Sequence, residues 1–205
     1  LGSVTDALTA LQQVCFSDQA TPSTNGSKPR MSLRDFVAVL DTDFNEQEVL
    51  RQKLLNRLPK YGNDDDQADD LMLRVFNACF EEVDGRPDAR DGRYRVELLP
   101  TTCHVYFGSV VGATADGRKA GLPLSEGISP VQGADRHGPT AVMRSASKMD
   151  HVKTGGTLLN LKFSPDLVST DDGLDKWAAL VRGYFRMDGH HVQFNVVTAE
   201  ALRTA

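Results

Sequence analysis

Apolar residues recur with helical spacing in several stretches and with strand alternation in three. Val4, Ala7, Leu8, Leu11 and Cys15 fall on one face of a helix from Val4 to Phe16. Ser32 stands where an N-cap belongs, ahead of Phe36, Val37 and Leu40. Phe44 to Leu58 predicts a third helix, with Val49, Leu50, Leu54 and Leu58 on its apolar side and Pro59 as its stop. Asp65 or Asp66 caps a long helix carrying Leu71, Val75, Ala78 and Cys79 on to Val83. Leu174 to Phe185 predicts another, with Leu174, Trp177, Leu180, Val181 and Phe185 inward.

Three segments read as strands: Tyr94 to Phe107, interrupted by Pro100, then Thr157 to Phe163, and His191 to Val197. The last two, joined by a helix, form a βαβ unit. That favours a parallel α/β arrangement. Thr21 to Pro29 and Asp84 to Arg93 read as polar loops, and Gly108 to Pro139 as a long one dense in Gly and Pro. A loop of that length inside a compact domain is usually functional or covers something. Thr198 to Arg203 reads as a helix just begun, and residue 1 is Leu. Both features suggest a piece cut from a longer chain.

Composition narrows the function classes. The 205 residues are 40% hydrophobic and carry a net charge of −5. That is enough apolar material for a real core. No stretch approaches the roughly 20 apolar residues of a membrane helix. The acidic balance and scattered basic residues argue against nucleic acid or an anionic membrane as partner. Cys15, Cys79 and Cys103 have neither disulfide nor zinc spacing, which fits a reducing cytoplasm.

Several groups carry candidate chemistry. Cys79-Phe80-Glu81 puts a thiol two residues from a carboxylate, but Cys79 falls on the apolar face of its helix and reads as a packed small hydrophobe. Cys103-His104 suggests a thiol–base pair, yet strand neighbours point to opposite faces. Asn63 to Asp66, with Asp69 and Asp70, could hold a hard cation. The run lacks the Gly and closing Glu of an EF-hand loop, so helix capping is the better reading. His190-His191 could give one metal ligand or a proton relay. Gly133 to Thr140 suggests a phosphate cradle, but it fits neither the Walker nor the dinucleotide pattern.

Longer strings are more specific. They are Lys60-Tyr61-Gly62-Asn63-Asp64-Asp65; Gly112 to Arg118 with Pro123 to Pro130; Gly138 to Ala141 with Ser145 and Lys148 to His151; Thr154 to Phe163; and Gly189 to Val197. In this order they resemble the glycyl radical enzymes, the pyruvate formate-lyase superfamily, from Leu1 to Ala205. Leu99 to Gly108, the stretch Pro130 to Gly133 and the double His look like the glycerol and 1,2-diol dehydratase branch.

The resemblance implies an α/β fold that is an incomplete part of a barrel: parallel half-sheet strands with surrounding helices and long loops. It implies that residues 1–205 are the C-terminal portion of the pyruvate formate-lyase-like domain and end before the glycine radical domain. The implied activity is radical dehydration of glycerol or a 1,2-diol to an aldehyde. A formate acetyltransferase-like or other C–C or C–N cleaving lyase is the alternative, and a non-catalytic scaffold module is the reading from another class. The thiyl cysteine, the acid/base glutamate and the radical glycine are expected outside these residues, so the piece alone is expected to be inactive. Cys79-Phe80-Glu81 lacks the Gly that precedes the family's thiyl cysteine and lies on the wrong side of Tyr61-Gly62-Asn63-Asp64.

By the same resemblance, the strand from Leu98 to Tyr106 lines the substrate pocket. Pro100, Thr101, Thr102 and Tyr106 are its candidate pocket residues, with hydroxyls suited to a diol. No bound cofactor or metal is expected. The radical would be installed on the parent, an expected homodimer, by an activating enzyme that uses S-adenosylmethionine and an iron–sulfur cluster. The expected setting is anaerobic and cytoplasmic, with a microcompartment as an option.

Overall fold

The computed structural model describes residues 1–16, 31–99 and 102–204. Pro100 and Thr101 lie outside them, as does the polar loop from Thr21 to Pro29. Helix α1 spans Gly2–Leu11 and runs into a π-helical turn, Gln12–Phe16. Helices α2 (Leu33–Asp41), α3 (Glu48–Asn56), α4 (Asp66–Val83), α5 (Cys103–Val110) and α6 (Pro139–Ser147) follow. Strand β1 (Leu159–Phe163), helix α7 (Asp171–Arg186) and strand β2 (Val192–Val196) form the βαβ unit, and α8 (Ala199–Thr204) comes last.

The α/β fold class and the parallel pairing are as expected. Leu159 sits opposite Val192 and Phe163 opposite Val196. A third segment extends the sheet at the other edge of β1, where Leu98 bridges Thr157 in parallel. Leu98 N–H donates to Gly156 O (2.8 Å) and Leu158 N–H to Leu98 O (3.0 Å). Leu159 and Leu161 are buried and join Tyr61, Met72, Phe76, Val142 and Tyr184 in the main core. A second cluster gathers Ala10, Phe36, Phe44, Leu54 and Ala115. Capping is as the sequence indicates: Ser32 accepts from Asp35 N–H (3.1 Å) and Asp65 from Gln67 N–H (3.0 Å).

Helix α1 does not bury the face its periodicity selects. Val4 and Leu8 are exposed, Ala7, Leu11 and Cys15 are half-buried, and Ser3, Thr5, Asp6 and Thr9 are buried. The polar residues can go inward because they find partners there, Asp6 through one oxygen only, which accepts from Tyr61 N–H. Ser3 and Ser125 exchange two bonds of 2.8 Å through backbone N–H and hydroxyl, and Thr9 donates back to Thr5 O (2.9 Å). The third helix starts at Glu48 rather than Phe44, since Asp43, Phe44 and Glu46 have left-handed backbone and form a turn. On α4 the buried stripe is Ala68, Met72 and Phe76, so Cys79 is exposed rather than packed. On α7, Leu174 and Phe185 are exposed while Tyr184 and Gly173 are buried.

The largest correction concerns Tyr94 to Phe107. Among the described residues of this stretch only Leu98 makes a parallel sheet contact, and the chain is helical from Cys103. Val105, Tyr106 and Phe107 favour strands intrinsically, but tertiary seating overrides that preference. Gly108 has no Cβ, and one placed there would lie 2.4 Å from Leu122 O. The helix therefore packs its end on the Leu122–Pro123 backbone, and Leu124 N–H donates to His104 O (3.1 Å). The loop from Val111 to Gly138 is irregular, as the sequence indicates, and Arg118 holds much of it. This buried guanidinium donates to carbonyls of Gly108, Val111, Gly112, Lys119 and Leu122. One side chain thereby satisfies carbonyls that a buried loop would otherwise leave unpaired.

Candidate functional site

The pocket residues proposed from sequence lie where the sheet-edge segment ends and α5 begins. Thr102 is the N-cap position of α5, but its side chain makes no capping bond. It is exposed, and its carbonyl accepts from Val105 N–H (3.0 Å). Tyr106 is 67% exposed and meets Phe107 edge-on at 5.7 Å between ring centres. The two belong to a helix start rather than a strand, but their spacing of four still puts them on one side. Pro100 and Thr101 complete the stretch outside the described residues.

The sequence did not select the neighbours of this stretch as pocket residues. The Gly155–Gly156 turn packs against it: a Cβ on Gly155 would meet Glu97, and one on Gly156 would meet Leu99 and approach His190. Behind the turn, His151 is buried with Nδ1 2.9 Å from Thr157 Oγ1 and its ring edge-on to Tyr184. Burial, with His190 second, lowers the His151 pKa and favours the neutral ring. Burial also pushes the Tyr184 hydroxyl up to about 12, so it stays protonated. These groups brace Glu97 and Leu99, just ahead of the candidate stretch; their signals in sequence are the glycine pair, which permits the close approach, and the double His.

Other candidates separate. Cys103 and His104 are adjacent on a helix, where neighbours do not face each other. His104 Nδ1 is buried without a hydrogen-bond partner among the described residues. Asp64, Asp66 and Asp69 do converge, but on Lys148, whose Nζ lies 3.4, 2.7 and 2.7 Å from their carboxylates. Burial opposes the Lys148 charge, yet Asp66 and Asp69 outweigh it and hold its pKa above the ordinary lysine value. A tethered ammonium thus stands where a cation site was considered. Among the described residues no group of His, Cys, Asp and Glu could hold a metal ion, and no helix is long and apolar enough to cross a membrane.

The family described as Pyruvate formate lyase-like matches residues 1–108, and the one described as Glycine radical matches residues 124–205. The chain belongs to the pyruvate formate lyase-like family. The second match begins inside the stretch that the sequence reading gave wholly to the first domain. Over all 205 residues the chain is 48% identical to a trans-4-hydroxy-L-proline dehydratase of Clostridioides difficile. The structure of that dehydratase with its substrate bound matches at a TM-score of 0.90, over 100% of this chain and 25% of that one. The glycerol-bound, B12-independent glycerol dehydratase of Clostridium butyricum matches at a TM-score of 0.88 and 37% identity, again over 100% and 25%. An isethionate sulfite-lyase of Bilophila wadsworthia is 34% identical over 100% of this chain and 24% of its own. The chain spans about a quarter of the length of the relatives it matches.

Proposed function

We propose that the chain is part of a glycyl radical dehydratase that removes water from a small hydroxylated substrate. The observation behind this reading is the likeness along the whole chain to a hydroxyproline dehydratase and a glycerol dehydratase. Both relatives act on carbon bearing a hydroxyl group. Hydroxyproline is the first substrate to try, ahead of glycerol or another 1,2-diol.

A glycyl radical, installed on the parent by a radical S-adenosylmethionine activating enzyme, supplies hydrogen-atom abstraction. The groups that carry the radical, the thiyl cysteine and the acid/base carboxylate are assigned to other parts of the parent. This chain contributes one wall of the pocket. Thr102, whose hydroxyl no cap bond occupies, is suited to bond a substrate hydroxyl. Tyr106, one turn later, offers a ring and a second hydroxyl, and Pro100 and Thr101 immediately precede Thr102 in the chain.

The test is a substrate panel on the full-length activated protein under anaerobic conditions. Consumption of hydroxyproline or a diol with loss of water supports the reading. Replacing Thr102 with Val should then raise KM by about tenfold, the loss of one hydrogen bond in a desolvated site. A second reading, C–S cleavage, is favoured by the isethionate sulfite-lyase likeness; release of sulfite from isethionate by the same preparation would select it.

A further inference from the structure

The parallel sheet has two unlike faces. Side chains alternate along β1 and β2, so Leu159, Leu161 and Phe163 share one face with Val192, Phe194 and Val196. That face is closed. Leu159 and Leu161 are buried in the main core, and Trp177 of α7 meets Phe194 edge-on at 5.2 Å between ring centres. The other face carries Asn160 and Lys162 from β1, opposite Gln193 and Asn195 from β2. Lys162 and Gln193 are exposed, and Asn160 and Asn195 are half-buried.

This open face is ordered by its own hydrogen bonds. Asn195 Nδ2 donates to Asn160 Oδ1 (2.8 Å), and Gln193 Nε2 donates to Asn195 Oδ1 (3.3 Å). Three carboxamides therefore stand in a fixed row. At its ends, among the described residues, Asn160 Nδ2 has no acceptor and Gln193 Oε1 has no donor. Lys162, opposite Asn195 in the register, adds an ammonium whose charge acts on Asp135.

The chemistry of the row bears on what covers it. Parallel sheets are covered on both faces, and the relatives have about three quarters of their length outside the part this chain matches. Two strands of five residues run about 17 Å, more than a small hydroxylated substrate spans. The cover is therefore polypeptide. An apolar cover would leave the carboxamides unpaired, which is costly once water is excluded. A helix or a paired strand has already used its backbone groups. An irregular segment has not, and a carboxamide offers the same N–H donor and C=O acceptor as a peptide group.

We propose that, in the parent, this face holds a non-helical segment of the same polypeptide from outside residues 1–205, bound through its peptide groups to Asn160 and Gln193. The proposal rests on the chain being part of a larger protein and not on the dehydration chemistry.

The test is hydrogen–deuterium exchange, read by mass spectrometry, on the full-length, unactivated protein and its Gln193→Leu variant. A segment outside residues 1–205 that is protected in the wild type is expected to exchange about tenfold faster in the variant, the loss of one hydrogen bond, with α4 and α7 unchanged. Asn160→Ala should release the same segment and carries the test if Gln193→Leu does not fold. Faster exchange confined to residues 1–205, or no change anywhere, overturns the proposal. So does protection that depends on protein concentration, which would give the face to a second copy. Protection that needs added trans-4-hydroxy-L-proline or glycerol would give it to the substrate and overturns the proposal equally. No radical or turnover enters the readout, so its failure leaves the dehydratase reading untouched.

Discussion

Asp6 shows what a single buried group does to the whole. It is 1% exposed, accepts from Tyr61 N–H at 2.9 Å, and leaves Oδ2 without a hydrogen-bond partner among the described residues. Burial pushes its carboxyl up to about 7 despite the pull of Lys60. The folded protein therefore holds this proton more tightly than the unfolded chain does. Its stabilising contribution is full below about pH 4, the unfolded value, and is lost as the pH rises through about 7. Asp6→Asn should flatten the fall in stability over that window, measured as melting temperature against pH for the full-length protein. An unchanged slope would show that Asp6 titrates normally. Lys148 is the opposite case, a cation held by three carboxylates. Lys148→Met leaves Asp69, which has a fully buried side chain, facing Asp64 and Asp66 with no cation of its own, since Arg144 pairs with Asp64. A loss of about 2–3 kcal/mol is expected in denaturant unfolding, the range for a partly buried pair. Neither site was legible from sequence as a buried cluster. Helical periodicity puts Asp6 opposite the apolar face of α1, as an exposed residue, and its partners are 55 and 54 residues away along the chain, as Tyr61 and Lys60.

Elements were legible where local chemistry decides them. The caps Ser32 and Asp65 each accept a backbone N–H inside their own first turn. Asp65→Ala should cost about 1 kcal/mol, measured by chemical denaturation. The parallel βαβ unit was legible because Leu159 and Leu161 alternate with Asn160 and Lys162 toward one core. Helix α5 was not, since Val105, Tyr106 and Phe107 read as strand and the deciding contact is the distant Leu122–Pro123 backbone at Gly108. Gly173 makes the same point on α7: a Cβ there would lie 1.8 Å from Leu167 O. Gly173→Ala must push α7 away from the preceding turn, Pro165–Val168, at a cost of about 1–3 kcal/mol, the usual price of overpacking. Wild-type stability in that variant would mean the turn moves freely.

For the whole molecule, family membership was legible in ordered strings such as Lys60 to Asp65 and Gly189 to Val197, and the family matches at 1–108 and 124–205 agree with it. The substrate was not legible. Thr102 has no capping bond and Tyr106 is exposed, and as the proposed pocket wall they would suit a cyclic hydroxy amino acid as well as a diol. On that proposal, selection between them would fall to groups facing this wall from other parts of the parent. The relatives sharpen the order of candidates by placing a hydroxyproline dehydratase at 48% identity across the chain. The most direct test is electron paramagnetic resonance on the full-length protein after anaerobic incubation with its activating enzyme and S-adenosylmethionine, followed by addition of trans-4-hydroxy-L-proline or glycerol. The account predicts a glycyl radical doublet and loss of water from a hydroxylated substrate only in samples that carry it. A doublet-free protein, or a radical-bearing one that dehydrates neither substrate, would contradict it.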